Sequence, residues 1–145
     1  MRWDWNPGES GVRKRSLLII KPDAVERNLI GEIISRLESA RFKILAMKMV
    51  RLTYDQARKF YAVHEGRPFL EELCQFMSSG PIVPMILESE GDTVSKVRSF
   101  IGTTDPAKAA PGTIRHDFAL SLTKNSVHAS DGEESAKTEI AFFFS

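Results

Sequence analysis

The chain has 145 residues, 42% hydrophobic and 27% charged, with 20 Lys+Arg against 19 Asp+Glu and a formal net charge of +1. That length suits one domain with a sizeable core, and the composition speaks against disordered, collagen-like and coiled-coil chains. The near-neutral balance gives no basic footprint for duplex nucleic acid, Cys74 alone excludes an internal disulfide, and no segment approaches the ~18 apolar residues of a membrane span.

Residues 1–13 read as a flexible N-terminal tail, with Asn6-Pro7-Gly8 as a turn signal and Trp3 and Trp5 outside any apolar run. The domain is expected over 14–145. Ser16 to Ile20 is a short apolar run, the pattern of a strand buried on both faces. It is too short for a signal-peptide core, so a cytoplasmic location is expected. Lys21-Pro22-Asp23 stops the strand, because Pro22 has no N–H for the ladder. Ile30, Ile33, Ile34, Leu37 and Ala40 fall at helical spacing and predict a helix over about 27–40. Phe42 to Leu52 reads as a long strand. Thr53, with Gln56 three residues on, predicts a capped helix running to about Val63.

Pro68 suits the first turn of another helix, with Phe69, Leu73, Phe76 and Met77 on one face and Gly80-Pro81 at its end. Ile82 to Leu87 is a third strand, in which Pro84 implies an edge or a bulge. Val94, Val97 and Ile101 define a helix over about 92–101. Residues 103–124 read as a loop, long enough in a compact domain to suggest a functional one. A short helix over Glu133 to Ile140 and a last strand over Ala141 to Phe144 complete the chain. Without the extra helices the order is βαββαβ, the ferredoxin-like α/β arrangement: a four-stranded antiparallel sheet covered by helices.

No Gly-x-x-x-x-Gly-Lys-Ser/Thr loop and no Gly-x-Gly-x-x-Gly is present, and Pro68 stands where a zinc-protease helix beginning at His64-Glu65 needs its second histidine. The C-terminal half instead gathers Arg98, Thr104, Arg115 and Asn125 ahead of His128. Two guanidiniums and a hydroxyl suit several phosphate oxygens. Lys21 follows the first strand, where a side chain points into a crevice at the strand's end. A neutral imidazole at His128 is a competent nucleophile toward phosphorus. The plainer reading pairs Arg98 and Arg115 with nearby acids such as Asp92 and Asp117 at the surface.

Three segments resemble the nucleoside diphosphate kinases: Ile20-Lys21-Pro22-Asp23-Ala24-Val25, Gly112-Thr113-Ile114-Arg115-x-Asp117-Phe118, and Asn125-Ser126-Val127-His128-Ala129-Ser130-Asp131. Phe60-Tyr61-Ala62-Val63-His64, Arg67-Pro68-Phe69 and Gly102-x-Thr104-Asp105-Pro106 support the likeness, which runs from about residue 14 to the end. The resemblance implies a ping-pong transfer in which a nucleoside triphosphate such as ATP or GTP phosphorylates His128 and a nucleoside diphosphate then takes the group. It places Lys21, Tyr61, Arg98, Thr104, Arg115 and Asn125 around the nucleotide, with Lys21 and Tyr61 also close to the chemistry. Ser130 and Glu139 would fix the orientation and tautomer of the histidine. Phe69 and Leu122 would hold the base from two sides, and stacking tolerates any base. Mg²⁺ would be held through the phosphates. The family implies a homo-oligomer, hexamer or tetramer, with no membrane and no specific nucleic acid as partner.

The chain departs from the family's usual pattern at Leu70, Pro84, His116, Ala129 and Gly132. Ala129 replaces a glycine, so a positive φ there would store strain. Two rivals remain: a catalytically impaired nucleotide-binding module, which the intact His128 argues against, and an RNA-binding domain. The latter stacks bases on strand aromatics, and Leu17 to Ile20 has none.

Overall fold

The computed structural model describes residues 14–145, so the expected tail lies outside the described residues. In chain order the elements are β1 (Arg15–Ile20), α1 (Pro22–Glu26), α2 (Ile30–Ser39), β2 (Lys43–Met47), α3 (Tyr54–Phe60), α4 (Leu70–Met77), β3 (Val83–Glu88), α5 (Thr93–Ile101), α6 (Ile114–Phe118), β4 (Val127–Ala129) and α7 (Glu133–Phe144). Single 3-10 turns occur at Ala62–His64 and Pro106–Lys108. The sheet order is β2-β3-β1-β4 with every pairing antiparallel, the expected ferredoxin-like layout.

The uninterrupted apolar run of β1 has a direct cause. Successive strand residues face opposite ways, and both faces of this strand are covered. Leu18 and Ile20 join a core with Ile33, Leu37, Val97 and Ile101, while Leu17 and Ile19 join a second core with Ala57, Phe60, Leu70 and Phe143. His128 pairs with Ile19, and directly opposed residues share a face. The alternation therefore turns His128 toward α3 and α7, and Val127 and Ala129 toward the other core.

Several expectations are corrected. The helix expected over 27–40 starts later, at Ile30, and a separate short helix, α1, precedes it; between them Asn28 takes a φ of 61° that asparagine tolerates better than most residues. The long strand over 42–52 is interrupted: β2 shifts register between Ile44 and Ala46, ends at Met47, and Val50 rejoins through a bridge to Ile82. Pro84 lies on central β3, opposite Ile19, and not at an edge. Its carbonyl accepts from the Lys48 N–H at 3.2 Å, so its ring nitrogen also faces β2, just where β2 has ended. The missing donor falls where the ladder is already breaking.

Thr53 caps α3 with Gln56 in the reciprocal box expected, and the helix ends at Phe60 before a 3-10 turn. In α4 the buried residues are Leu70, Cys74 and Met77, so the stripe through Phe69 and Phe76 is not the inner one. The loop over 103–124 contains α6, which Thr113 caps by accepting from the His116 N–H at 3.3 Å. Ala141 to Phe144 is the last turn of α7 and not a strand; packing of Phe143 against the Leu17–Ile19 face overrides the β preference of three aromatics. The fourth strand is the three-residue segment that carries His128.

Candidate active site

Alternation on β4 aims His128 at the face where α7 begins its first turns. Its Nε2 lies 2.9 Å from Glu139 Oε1, and the Ser130 hydroxyl donates to the same oxygen at 2.8 Å. A carboxylate only accepts, so this contact makes Nε2 the protonated nitrogen and leaves the lone pair on Nδ1. The rings of Phe60 and Tyr61 meet the imidazole edge-on, with centroids at 5.4 and 5.9 Å. Tyr61 is buried, and burial followed by the nearby Glu139 charge raises its phenol pKa, so the O–H keeps its proton.

The carbonyls that flank His128 are held by two arginines. Arg115 Nη2 donates to Val127 O at 2.8 Å and its Nη1 to Gly102 O at 3.1 Å; Arg98 Nη1 donates to Ala129 O at 3.4 Å. Arg98 lies on the exposed side of α5, whereas Arg115 is only 5% exposed. Its buried Nε has no hydrogen-bond partner. Burial, reinforced by the charge of Arg98, lowers the Arg115 pKa to about 10. The expected alternative, surface pairing with acids, is not seen among the described residues: Asp92 caps α5 and Asp117 binds Arg36 at 2.7 Å.

Gly102 makes that grip possible. Its φ is 91°, and a Cβ there would come within 2.6 Å of Thr113 Oγ1 and 2.9 Å of Thr113 Cβ. Gly102→Ala is expected to lose about 2–4 kcal/mol of stability from the backbone strain and the clash together, measured by chemical denaturation.

Lys21 is buried at the end of β1 and donates to Thr123 O and Asn125 Oδ1, both at 2.9 Å. Burial lowers its pKa to about 8, with Asp23 opposing the shift and Arg115 adding to it. Because Asn125 Oδ1 faces Lys21, its amide nitrogen turns to Thr104 O at 3.4 Å. Ser126 takes a φ of 74° while buried, two residues before His128. Ala129 has no such angle, so the strain expected there is absent and sits at Ser126 instead.

Thus His128, Ser130, Glu139 and Tyr61 converge, Lys21, Asn125 and Thr104 form a chain, and the two arginines tie into β4. Phe69 and Leu122 are farther out, 46% and 62% exposed. Phe69 meets the His64 ring at 5.1 Å, and His64 stacks with Tyr61 at 6.1 Å, so this histidine belongs to an aromatic wall. Sequence reasoning missed the contact of Phe60 with His128; the only available signal was the run Phe60 to His64 itself. His116 is exposed and sits 3.0 Å from Asp117.

The family model described as nucleoside diphosphate kinase matches residues 14–145. The chain is 60% identical over 131 residues to the nucleoside diphosphate kinase of Desulfatibacillum aliphaticivorans, covering 90% of this chain and 94% of that one. It is 55% identical to the enzyme of Anaeromyxobacter sp. (strain Fw109-5), covering 92% and 90%. The structure is similar to the Aquifex aeolicus nucleoside diphosphate kinase at a TM-score of 0.89 and 47% identity, covering 92% of this chain and 96% of that one. It is also similar to the Halobacterium salinarum nucleoside diphosphate kinase solved in complex with CDP, at 0.87 and 41%, covering 91% and 88%. The chain belongs to the nucleoside diphosphate kinase family, whose members pass the terminal phosphoryl group of a nucleoside triphosphate to a nucleoside diphosphate.

Proposed function

We propose that His128 is the residue that carries the phosphoryl group in this chain. The observation that carries the reading is the 2.9 Å contact of His128 Nε2 with Glu139, itself held by Ser130, which leaves the Nδ1 lone pair for attack. Nδ1 forms a bond to the terminal phosphorus of the donor, the bond to the bridging oxygen breaks, and the nucleoside diphosphate leaves with that electron pair. The Nε2 proton stays on the ring, and Glu139 balances the charge the ring gains. A terminal oxygen of the acceptor diphosphate then attacks phosphorus, and the pair returns to Nδ1. Incubation with γ-labelled triphosphate tests the reading: the label should be stable to base and labile to acid, as a phosphohistidine is.

Lys21, Arg98 and Arg115 offset negative charge on the transferred group, and Tyr61, Thr104 and Asn125 line the nucleotide. Phe69 and Leu122 hold the base. Among the described residues no cluster of His, Cys, Asp or Glu is placed to hold a metal ion; Arg98 adds positive charge beside Arg115, and Asp23 is the acid whose charge bears most on Lys21. Such a donor set fits Mg²⁺ held through the nucleotide's phosphates, where it would offset their charge.

Lys21 supplies a pH test. Its ammonium is needed in charged form, so kcat/KM, which reports the free enzyme, should fall as pH rises through about 8. A pH–rate profile checks this. Lys21→Arg stays charged throughout and should lack that limb, at a lower plateau.

Among the described residues no helix is long and apolar enough to cross a membrane. Assembly into a homo-oligomer is supported by the edge position of β2, by the exposure of Met47 and Met49, and by a mostly apolar groove of about 640 Å³ lined by Ile34, Ile44, Ala46 and Phe144 together with Glu38 and Lys48. The buried free thiol of Cys74 suits the reducing cytoplasm.

A further inference from the structure

The segment between α6 and β4, residues 119–125, supplies both oxygens that aim Lys21. Packing does little to hold it. Leu120 and Leu122 are 61% and 62% exposed, and a cavity of about 190 Å³ lies between Leu120, Phe76 and Arg27. A segment with few buried apolar contacts opens easily unless polar contacts restrain it.

Arg27 provides such contacts at both ends. It caps α1 at its C-terminus, and its Nη2 donates to Phe118 O at 2.5 Å and reaches Ser126 Oγ at 3.5 Å. Phe118 precedes the segment and Ser126 follows it. The same nitrogen lies 3.4 Å from Asp23 Oδ2, and Nε donates to Asp23 O at 3.3 Å. Asp23 Oδ2 also accepts from the Ser126 hydroxyl at 3.5 Å, which closes the ring of contacts. Ser126 O in turn accepts from the Lys21 N–H at 2.9 Å.

We propose that Arg27 is a positioning residue for the nucleotide site: one guanidinium clasps Phe118 and Ser126, and so fixes the span whose oxygens aim Lys21. The proposal rests on the site reading above. Nη2 reaches Phe118 O and Ser126 Oγ while Nε of the same rigid plane is held by Asp23 O, an anchored geometry that an ammonium, with one nitrogen on a flexible stem, does not reproduce.

The test uses full-length Arg27→Ala and Arg27→Lys. In both, KM for the nucleotide should rise about tenfold while kcat stays within about threefold. Amide hydrogen exchange should quicken over residues 119–126 and stay slow in β1 and β3. Arg27→Lys keeps the charge and most of the stem, so it serves if the alanine variant does not fold. Wild-type KM in Arg27→Lys would reduce the role to charge and overturn the clasp. Faster exchange across the whole sheet would mark general destabilisation and overturn it equally. An active His128→Ala enzyme would instead overturn the site reading, so the two failures are distinct.

Discussion

His128→Ala is expected to yield a folded protein with no phosphoenzyme and turnover reduced by roughly four orders of magnitude or more, because removing a covalent nucleophile removes the whole two-step route. The variant should stay folded. Val127 and Ala129, not His128, anchor β4 in the core, and the imidazole is only half-buried. Its loss leaves Glu139 bonded to Ser130. Labelled triphosphate followed by gel analysis in base and in acid reads the first outcome, and coupled nucleotide kinetics the second. Label on the alanine variant would move the nucleophile elsewhere. Glu139→Gln isolates the charge argument: the amide oxygen still accepts from Nε2–H and keeps the tautomer, but a neutral amide balances the phosphorylated ring poorly, so phosphoenzyme formation should slow while His128 remains competent.

The second large effect is expected at Arg115. Arg115→Met should lower kcat by about 10²–10³, the range seen when one preorganised charge facing a developing charge is lost. The guanidinium is fixed by Gly102 O and Val127 O, so it needs no reorganisation as charge builds on the phosphoryl group. Stability should change far less than activity. Two carbonyls lose a donor, at about 1–3 kcal/mol each, but a cation whose pKa burial lowers to about 10 is also removed, and that desolvation is relieved. Arg115→Lys restores the charge and not the two-carbonyl grip, so it should fall between wild type and methionine. Steady-state kinetics and a denaturation midpoint measured on the same samples separate the two effects.

Much of this was readable from residue order. β1 announced itself because covering both faces leaves no polar alternation, and Lys21, Arg115 and His128 lie in segments specific enough to name their neighbours. What failed depended on partners that residue order does not display. Pro84 suggests an edge only if its nitrogen faces a paired neighbour, and here the facing strand has stopped. The strand carrying His128 is three residues long, too short for any periodicity. A positive φ is invisible at a serine, so Ala129, where a glycine is usual, drew notice while the positive φ of this segment belongs to Ser126. Arg27 reads as an ordinary surface arginine because its acceptors, Phe118 and Ser126, lie 91 and 99 residues away.

The placement of β4 beside β1 bears on when the enzyme becomes active. Lys21 meets its oxygens across separations of 102 and 104 residues, and His128 takes its place only by pairing with Ile19 across the whole domain. Contacts this distant along the chain form late, since closing long loops opposes them. A nascent or partly folded chain therefore holds no partial phosphoryl-transfer centre. Activity regained on refolding reports the docking of β4 on β1, not the pairing of β2 with β3, and a chain that stalls before it is silent instead of releasing reactive phosphohistidine.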